Sequence, residues 1–327
     1  MKRRKVLKLV AAGAMAGLFA PRQLVAQAAY PNRPVRVIVP YAPGGVVDVV
    51  ARHWGERVNS ALGSIVVENQ GGGGGTIGAS NVMRSTPDGY TLLFGDTSTQ
   101  VIAPAIMKTP PYDPVVSFIP VSMVATSSTA VVVHPSVPTK TLSEFVEYAR
   151  SKGKELSYGS AGTGTVTHLA GELFKQLIKA PDIVHVPYRG AGPGINDLLA
   201  GNIPFMTPNV TGQILEFHRA GKLRILAVCS PNRMTAAPDL PLATQTLPGL
   251  VVQLSSGVFA PAQTPADVIA TVAKATAAVV SDPGFAKILQ AAGLDARSET
   301  TPAAAAAYIK AERERLLPVI LAAGIKT

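Results

Sequence analysis

The sequence predicts an α/β protein of two lobes with a ligand cleft between them. Three observations predict it. Short apolar strands alternate with amphipathic helices almost throughout, which is the pattern of an α/β fold with largely parallel sheets. About 300 residues follow a separable N-terminal leader, more than one compact core usually takes. Three glycine-rich turns, at 43–48, 161–165 and 190–194, each open directly into a helix. Such a turn leaves backbone N–H groups unpaired, with the positive end of the helix dipole behind them. It binds an anion without any charged side chain.

The first 28 residues read as an export signal rather than as part of the fold. Lys2, Arg3, Arg4, Lys5 and Lys8 form a basic head, Val10–Ala20 is an apolar run, and Ala26-Gln27-Ala28 is a small-x-small cleavage site. The run is shorter than the about 20 residues that span a bilayer. Arg3-Arg4-Lys5-Val6-Leu7-Lys8 resembles a twin-arginine signal, with Val6 where Phe is usual, but paired arginines also occur in ordinary secretory signals. Both export routes stay open, and a periplasmic destination is expected.

The leader carries six of the 30 basic residues and none of the 20 acidic ones, so the mature charge is +4 rather than +10. No basic run survives in the mature part, which argues against a nucleic-acid partner. The single cysteine, Cys229, excludes an intrachain disulfide and is expected as a small buried residue. One Trp and 6% aromatic residues argue against a sugar-stacking cleft.

Arg36–Val39 is a strand that stops at Pro40. The helix from Gly45 places Val46, Val49, Val50, His53, Trp54 and Val58 on one side and ends at Gly63. Ile65–Val67 and Thr91–Phe94 are the next strands. The five-glycine run Gly71–Gly75 between them is expected as a surface turn, with ligand contact as the alternative. Thr141 and Glu144 form a capping box before Leu142, Phe145, Val146 and Ala149 at helical spacing. Thr264-Pro265 starts another helix, with Pro265 at its first position. Thr301-Pro302 opens the last, which Pro318 is expected to break or kink. Met123–Val133 and Leu223–Val228 are the expected crossing strands. They divide the chain into a discontinuous lobe, 29–127 with 229–327, and an inserted lobe, 128–228.

The mature chain also resembles a known family over nearly its whole length. The motifs are Tyr30-Pro-Asn-Arg-Pro34, Val39-Pro-Tyr-Ala-Pro-Gly-Gly45 with Asp48, Pro87-Asp-Gly-Tyr-Thr-Leu92, Tyr112-Asp-Pro114 and His134-Pro-Ser-Val-Pro138. They continue with Ser160-Ala-Gly-Thr-Gly164, His168-Leu-Ala-Gly-Glu-Leu-Phe174, His185-Val-Pro-Tyr-Arg-Gly190, Asp197-Leu-Leu-Ala-Gly201, Gly221-Lys-Leu-Arg224 and Glu312. In order and spacing they resemble the receptors of tripartite tricarboxylate transporters, also called Bug receptors. The resemblance implies a type II periplasmic-binding-protein fold and a partnership with a two-subunit inner-membrane permease. It implies a ligand that is a small organic acid: a di- or tricarboxylate, an acidic amino acid or an aromatic acid. Carried over by motif, the contacts come from the Ala42–Asp48 turn (Ala42, Pro43, Gly44, Gly45, Val46 and Asp48), the Asp96–Thr99 segment (Thr97 and Ser98 above all), Ser127 and Ser128, the Ala161–Thr165 turn (Ala161, Gly162, Thr163, Gly164 and Thr165) with His168, and Asn209.

The sequence departs from that pattern at three places. Val47 stands where a Thr or Ser is common, and a lost hydroxyl hydrogen bond is worth about 1 kcal/mol. Pro208 replaces an acidic residue, and Ser256 replaces an aromatic one, which opens room for a bulkier acid if it faces the cleft. Arg189 has two readings, a bidentate partner for a distal carboxylate or a solvent-facing rim residue. Asp48 either satisfies its own helix start or pairs an ammonium on the ligand. His168 either donates to the ligand or braces the Thr-rich turn.

No cofactor is expected. The glycine spacings are not a dinucleotide fingerprint, and His53, His134, His168, His185 and His218 show no metal spacing. Ser160, His168 and Asp197 supply the residue types of a hydrolytic triad, but Tyr158-Gly-Ser-Ala-Gly162 misplaces the glycines of a nucleophile elbow. A receptor that signals to a membrane sensor kinase uses the same ligand chemistry as one that feeds a permease. Transport is the favoured reading.

Overall fold

The computed structural model describes residues 30–325. The expected export signal lies outside the described residues. The elements in chain order are β1 (Val35–Val39), α1 (Val46–Leu62), β2 (Ile65–Asn69), α2 (Thr76–Met83), β3 (Thr91–Asp96), α3 (Ala103–Ile106), α4 (Pro114–Ser117), β4 (Phe118–Ser128), β5 (Ala130–Val133) and α5 (Leu142–Lys152). They continue with β6 (Ser157–Ser160), α6 (Val166–Leu177), β7 (Val184–Pro187), α7 (Ala191–Leu199), β8 (Phe205–Met206), α8 (Gly212–Arg219) and β9 (Arg224–Val228). Last come β10 (Gln253–Pro261), α9 (Ala266–Val280), α10 (Pro283–Ala291), β11 (Asp295–Ala296) and α11 (Pro302–Ala322).

Two sheets form two lobes. The first runs β11-β4-β10-β3-β1-β2 and the second β7-β6-β8-β5-β9. Both are mixed rather than largely parallel, and the division follows from the crossings. The helix-connected strands β1, β2 and β3, and likewise β6, β7 and β8, pair in parallel. β4 and β5, joined through Thr129, carry the chain out of the first lobe and the segment before β10 brings it back; β10 pairs antiparallel with β3 and β4, and β5 with β8 and β9.

The crossing is stitched at one level. Thr129, between β4 and β5, donates its N–H to the Val252 carbonyl at 3.1 Å and accepts from the Cys229 N–H at 2.7 Å. Val252 in turn donates to the Cys229 carbonyl at 3.0 Å. After β9 the chain stays beside the second sheet, where Val228 bridges Leu242 and Met234 and Leu240 pack with Ile225. It then enters β10. Cys229 is fully buried, and burial pushes its thiol up to about 12.

Local chemistry explains the helix ends. Thr141 accepts from the Glu144 N–H while Glu144 accepts from the Lys140 N–H, a closed capping arrangement. Trp54 is wholly buried, and its indole N–H reaches Thr276 of α9 at 3.3 Å. Two details differ from expectation. Pro265 sits at the cap of α9, one position before its first turn. α11 continues through Pro318. Leu316 and Ile320 on either side are buried while Pro318 is exposed, so the hydrogen bond it cannot make falls on the wet face.

Candidate functional site

Three helices begin at the gap between the lobes. α1 starts after Gly44, whose φ of +86° suits glycine, and its cap residue Gly45 offers no side chain to the first-turn N–H groups. α7 likewise starts at Gly190 with no side-chain cap. α6 is capped by Thr165, which accepts the His168 N–H at 3.2 Å and donates to the Gly162 carbonyl at 2.7 Å. The first turns of all three line a single cavity of about 320 Å³, through Gly45, Val46, Val47, Val166, Thr167 and Ala191. It is narrow. Among the described residues no Lys, Arg or His lines it.

The narrowness reflects contact between the lobes. The Ala42 N–H donates to the Arg189 carbonyl at 3.1 Å, and the Val166 N–H donates to Ser98 Oγ at 3.0 Å. A methyl on Gly45 would lie 3.8 Å from the Ala191 methyl. The five-glycine run takes part, contrary to its expected place on the surface. Gly74 and Gly75 are buried, and a Cβ on Gly74 would stand 2.0 Å from the Thr163 carbonyl oxygen. A side chain there would hold the lobes apart, which is why a glycine run fits where a generic turn would not.

Two buried carboxylates flank the gap, and they differ. Asp48 turns back on its own helix start. It accepts from the Gly44 N–H at 3.1 Å and Asn69 Nδ2 at 2.9 Å, and pairs with Arg52 at 2.9 Å. Burial disfavours its charge, but the bonds from Arg52, Asn69 and Gly44 outweigh it and hold the carboxyl below its ordinary range. Asp96 lines the cavity and is wholly buried. The Tyr41 hydroxyl straddles its two oxygens at 2.9 and 3.0 Å, and the Thr99 N–H reaches Oδ1 at 3.0 Å. Among the described residues no cation pairs with it, and burial raises its pKa despite those donors. Asn209 also lines the cavity, and its Oδ1 is buried with no hydrogen-bond partner among the described residues.

Of the residues expected from sequence, the structure brings Gly45, Val46, Ser98, Ala161, Thr165 and Asn209 to the cavity wall. Ala42, Pro43 and Gly44 line an outer opening with Gly192, Pro193 and Gln213. The others stand behind. The Thr97 hydroxyl accepts from the Ser255 N–H, the Ser127 hydroxyl donates to the Val210 carbonyl, and the Ser128 hydroxyl accepts from Gln253. Ser256 is buried in β10 opposite Asp96, with its hydroxyl toward the Ala125 carbonyl, and does not face the cavity. Gly162 and Gly164 shape the turn, Thr163 lies against Gly74, and the Arg189 side chain is exposed. His168 braces the turn: its Nδ1 accepts from the Gly164 N–H at 3.2 Å while its ring stacks on His185 at 4.1 Å. Burial lowers His168 to about 4 and His185 to about 3.

The triad residues are not assembled. Ser160 is buried and bonds His185 Nε2 at 2.7 Å, not His168, while Asp197 serves Tyr188 and Asn202. Sequence reasoning missed Tyr41, Val166, Thr167, Ala191 and Leu254 in the cavity wall. Ala191 was signalled by the third glycine turn. Leu254 had no signal, because strand pairing alone brings it there.

A family model for the tripartite tricarboxylate transporter family receptor matches residues 50–325. The chain belongs to that family. This receptor is 35% identical to protein BugT of Bordetella pertussis over 259 residues, 78% of each chain. It is 40% identical to a solved periplasmic transporter, with a TM-score of 0.86 over 91% of this chain and 99% of that one. It is 30% identical to MatC from Rhodopseudomonas palustris, solved with bound malate, with a TM-score of 0.84 over 89% of this chain and all of that one. Two lobes are thus the architecture of the receptor, and its solved relatives share the fold. Among the described residues no helix is long and apolar enough to cross a membrane.

Proposed function

We propose that the receptor is exported to the periplasm, captures a small organic carboxylate between its lobes and delivers it to a two-subunit membrane permease. One observation carries the ligand class. Three helix starts, two of them without a side-chain cap, converge on a cavity with no cationic side chain. Neutral N–H dipoles in a water-poor gap favour an anion without the desolvation cost of a buried Lys or Arg. The malate in MatC supports the same class. Donors come from both lobes, so the anion binds the closed form better than the open one and shifts the population toward closure. Closure joins Ala42 to Arg189 and Gly74 to Thr163 and presents one combined surface to the permease.

Thermal shift of the mature protein against organic acids and their amides tests this reading. At 100 times Kd a bound acid adds about 2.7 kcal/mol of stability, and the matching amide adds much less. Stabilisation by amides as strong as by acids would rule out the carboxylate grip. Capture of the permease from membranes only in the presence of the stabilising acid tests the delivery step. Capture of a sensor kinase instead would favour signalling.

A further inference from the structure

The donors at the helix starts account for a carboxylate, but they leave two acceptors in the same wall unexplained. Asp96 is wholly buried, lines the cavity and has only hydroxyl and amide donors around it: Tyr41, Thr99 and Ser98. Asn209 is 6% exposed and its Oδ1 has no partner. A buried carboxylate without a cation is costly, and it would repel a second carboxylate held beside it. An unpartnered buried amide oxygen is costly as well. Both costs vanish if the ligand brings a positively charged hydrogen-bond donor. Asp48 does not supply this function, because Arg52, Asn69 and Gly44 already occupy it.

Resting on the carboxylate reading above, we propose that Asp96 and Asn209 form an ammonium subsite, so that the acid taken by this receptor is an amino acid. Its carboxylate lies at the starts of α1, α6 and α7, and its nitrogen lies between Asp96 and Asn209. The rest of the wall is set by Val46, Val47, Val166, Ala191 and Leu254, and no cationic side chain awaits a second carboxylate. The ligand side chain is therefore short and uncharged.

The test compares acids that differ only by an amino group, using calorimetry on the mature protein. The pairs are L-alanine with propanoate, L-valine with 3-methylbutanoate, and L-aspartate with succinate. The amino member of the alanine or valine pair is expected to bind at least ten-fold more tightly than its deaminated partner. In Asp96→Asn, which keeps an oxygen for Tyr41 and Thr99, that preference is expected to fall at least ten-fold while deaminated acids bind no worse. Should that variant not fold, Asn209→Leu is expected to narrow the same preference. Deaminated acids binding as tightly as amino acids would overturn the ammonium subsite and leave the carboxylate reading intact. Tightest binding of succinate would overturn it in the same way. If no carboxylate of either kind binds, the underlying reading fails instead.

Discussion

Asp48 and Asp96 show how surroundings divide two like residues between jobs. Both are buried beside the cleft, yet Asp48 is paired and fixes its helix start, while Asp96 faces the cavity without a cation. The sequence made Asp48 conspicuous, because an acidic residue in a first helical turn is a familiar signal. Asp96 sits at the end of a strand, where only the tertiary pairing of β3 with β10 shows that it is buried. His168 was readable as a brace or a donor, and the bond its Nδ1 accepts from the Gly164 N–H supports the brace. Its neutral form has a stability consequence. His168, depressed to about 4 in the folded protein, takes up its proton earlier in the unfolded chain, at its usual value near 6.5. The folded state thus keeps its full advantage above about pH 6.5 and loses it as pH falls toward 4. From pH 7 to 5 the loss is about 1–2 kcal/mol for this group, and His185 adds to it. Urea unfolding at the two pH values should show the loss, and His168→Gln should reduce it. An equal loss in both proteins would contradict the assignment.

At the scale of elements, helix starts were the most legible feature. Capping residues, glycine turns and apolar periodicity are local, so Thr141, Thr165 and Gly45 could be placed without a structure. Features that depend on a second element were not legible. Pro318 is tolerated because its unpaired carbonyl partner faces water, which a sequence does not reveal. The glycine run reads as flexible backbone until Thr163 is brought against it from the other lobe. This contact makes a prediction. Gly74 has φ of +64° and no room for a Cβ in the closed form, so Gly74→Val should weaken ligand binding by at least ten-fold. Circular dichroism should show an unchanged helix content, because the backbone strain is confined to the turn before α2 and the clash is with the other lobe. Unchanged affinity in that variant would mean that the contact does not belong to the bound state.

At the scale of the whole molecule, the crossing strands join two lobes that meet around a gap lined by three helix starts. The two-lobed α/β class was legible from alternation and length, whereas the antiparallel halves of the sheets follow only from knowing which strands cross. The crossing at Thr129, Cys229 and Val252 is hydrogen-bonded, and one buried apolar cluster that includes Cys229 and Val252 runs through it from lobe to lobe. The most direct measurement is the crystal structure of the receptor with the tightest-binding acid. Its carboxylate oxygens should lie at hydrogen-bond distance, about 2.7–3.2 Å, from first-turn N–H groups of helices in both lobes. A carboxylate held by an Arg or Lys side chain, or lodged in the outer opening beside Pro43 and Pro193, would contradict the account.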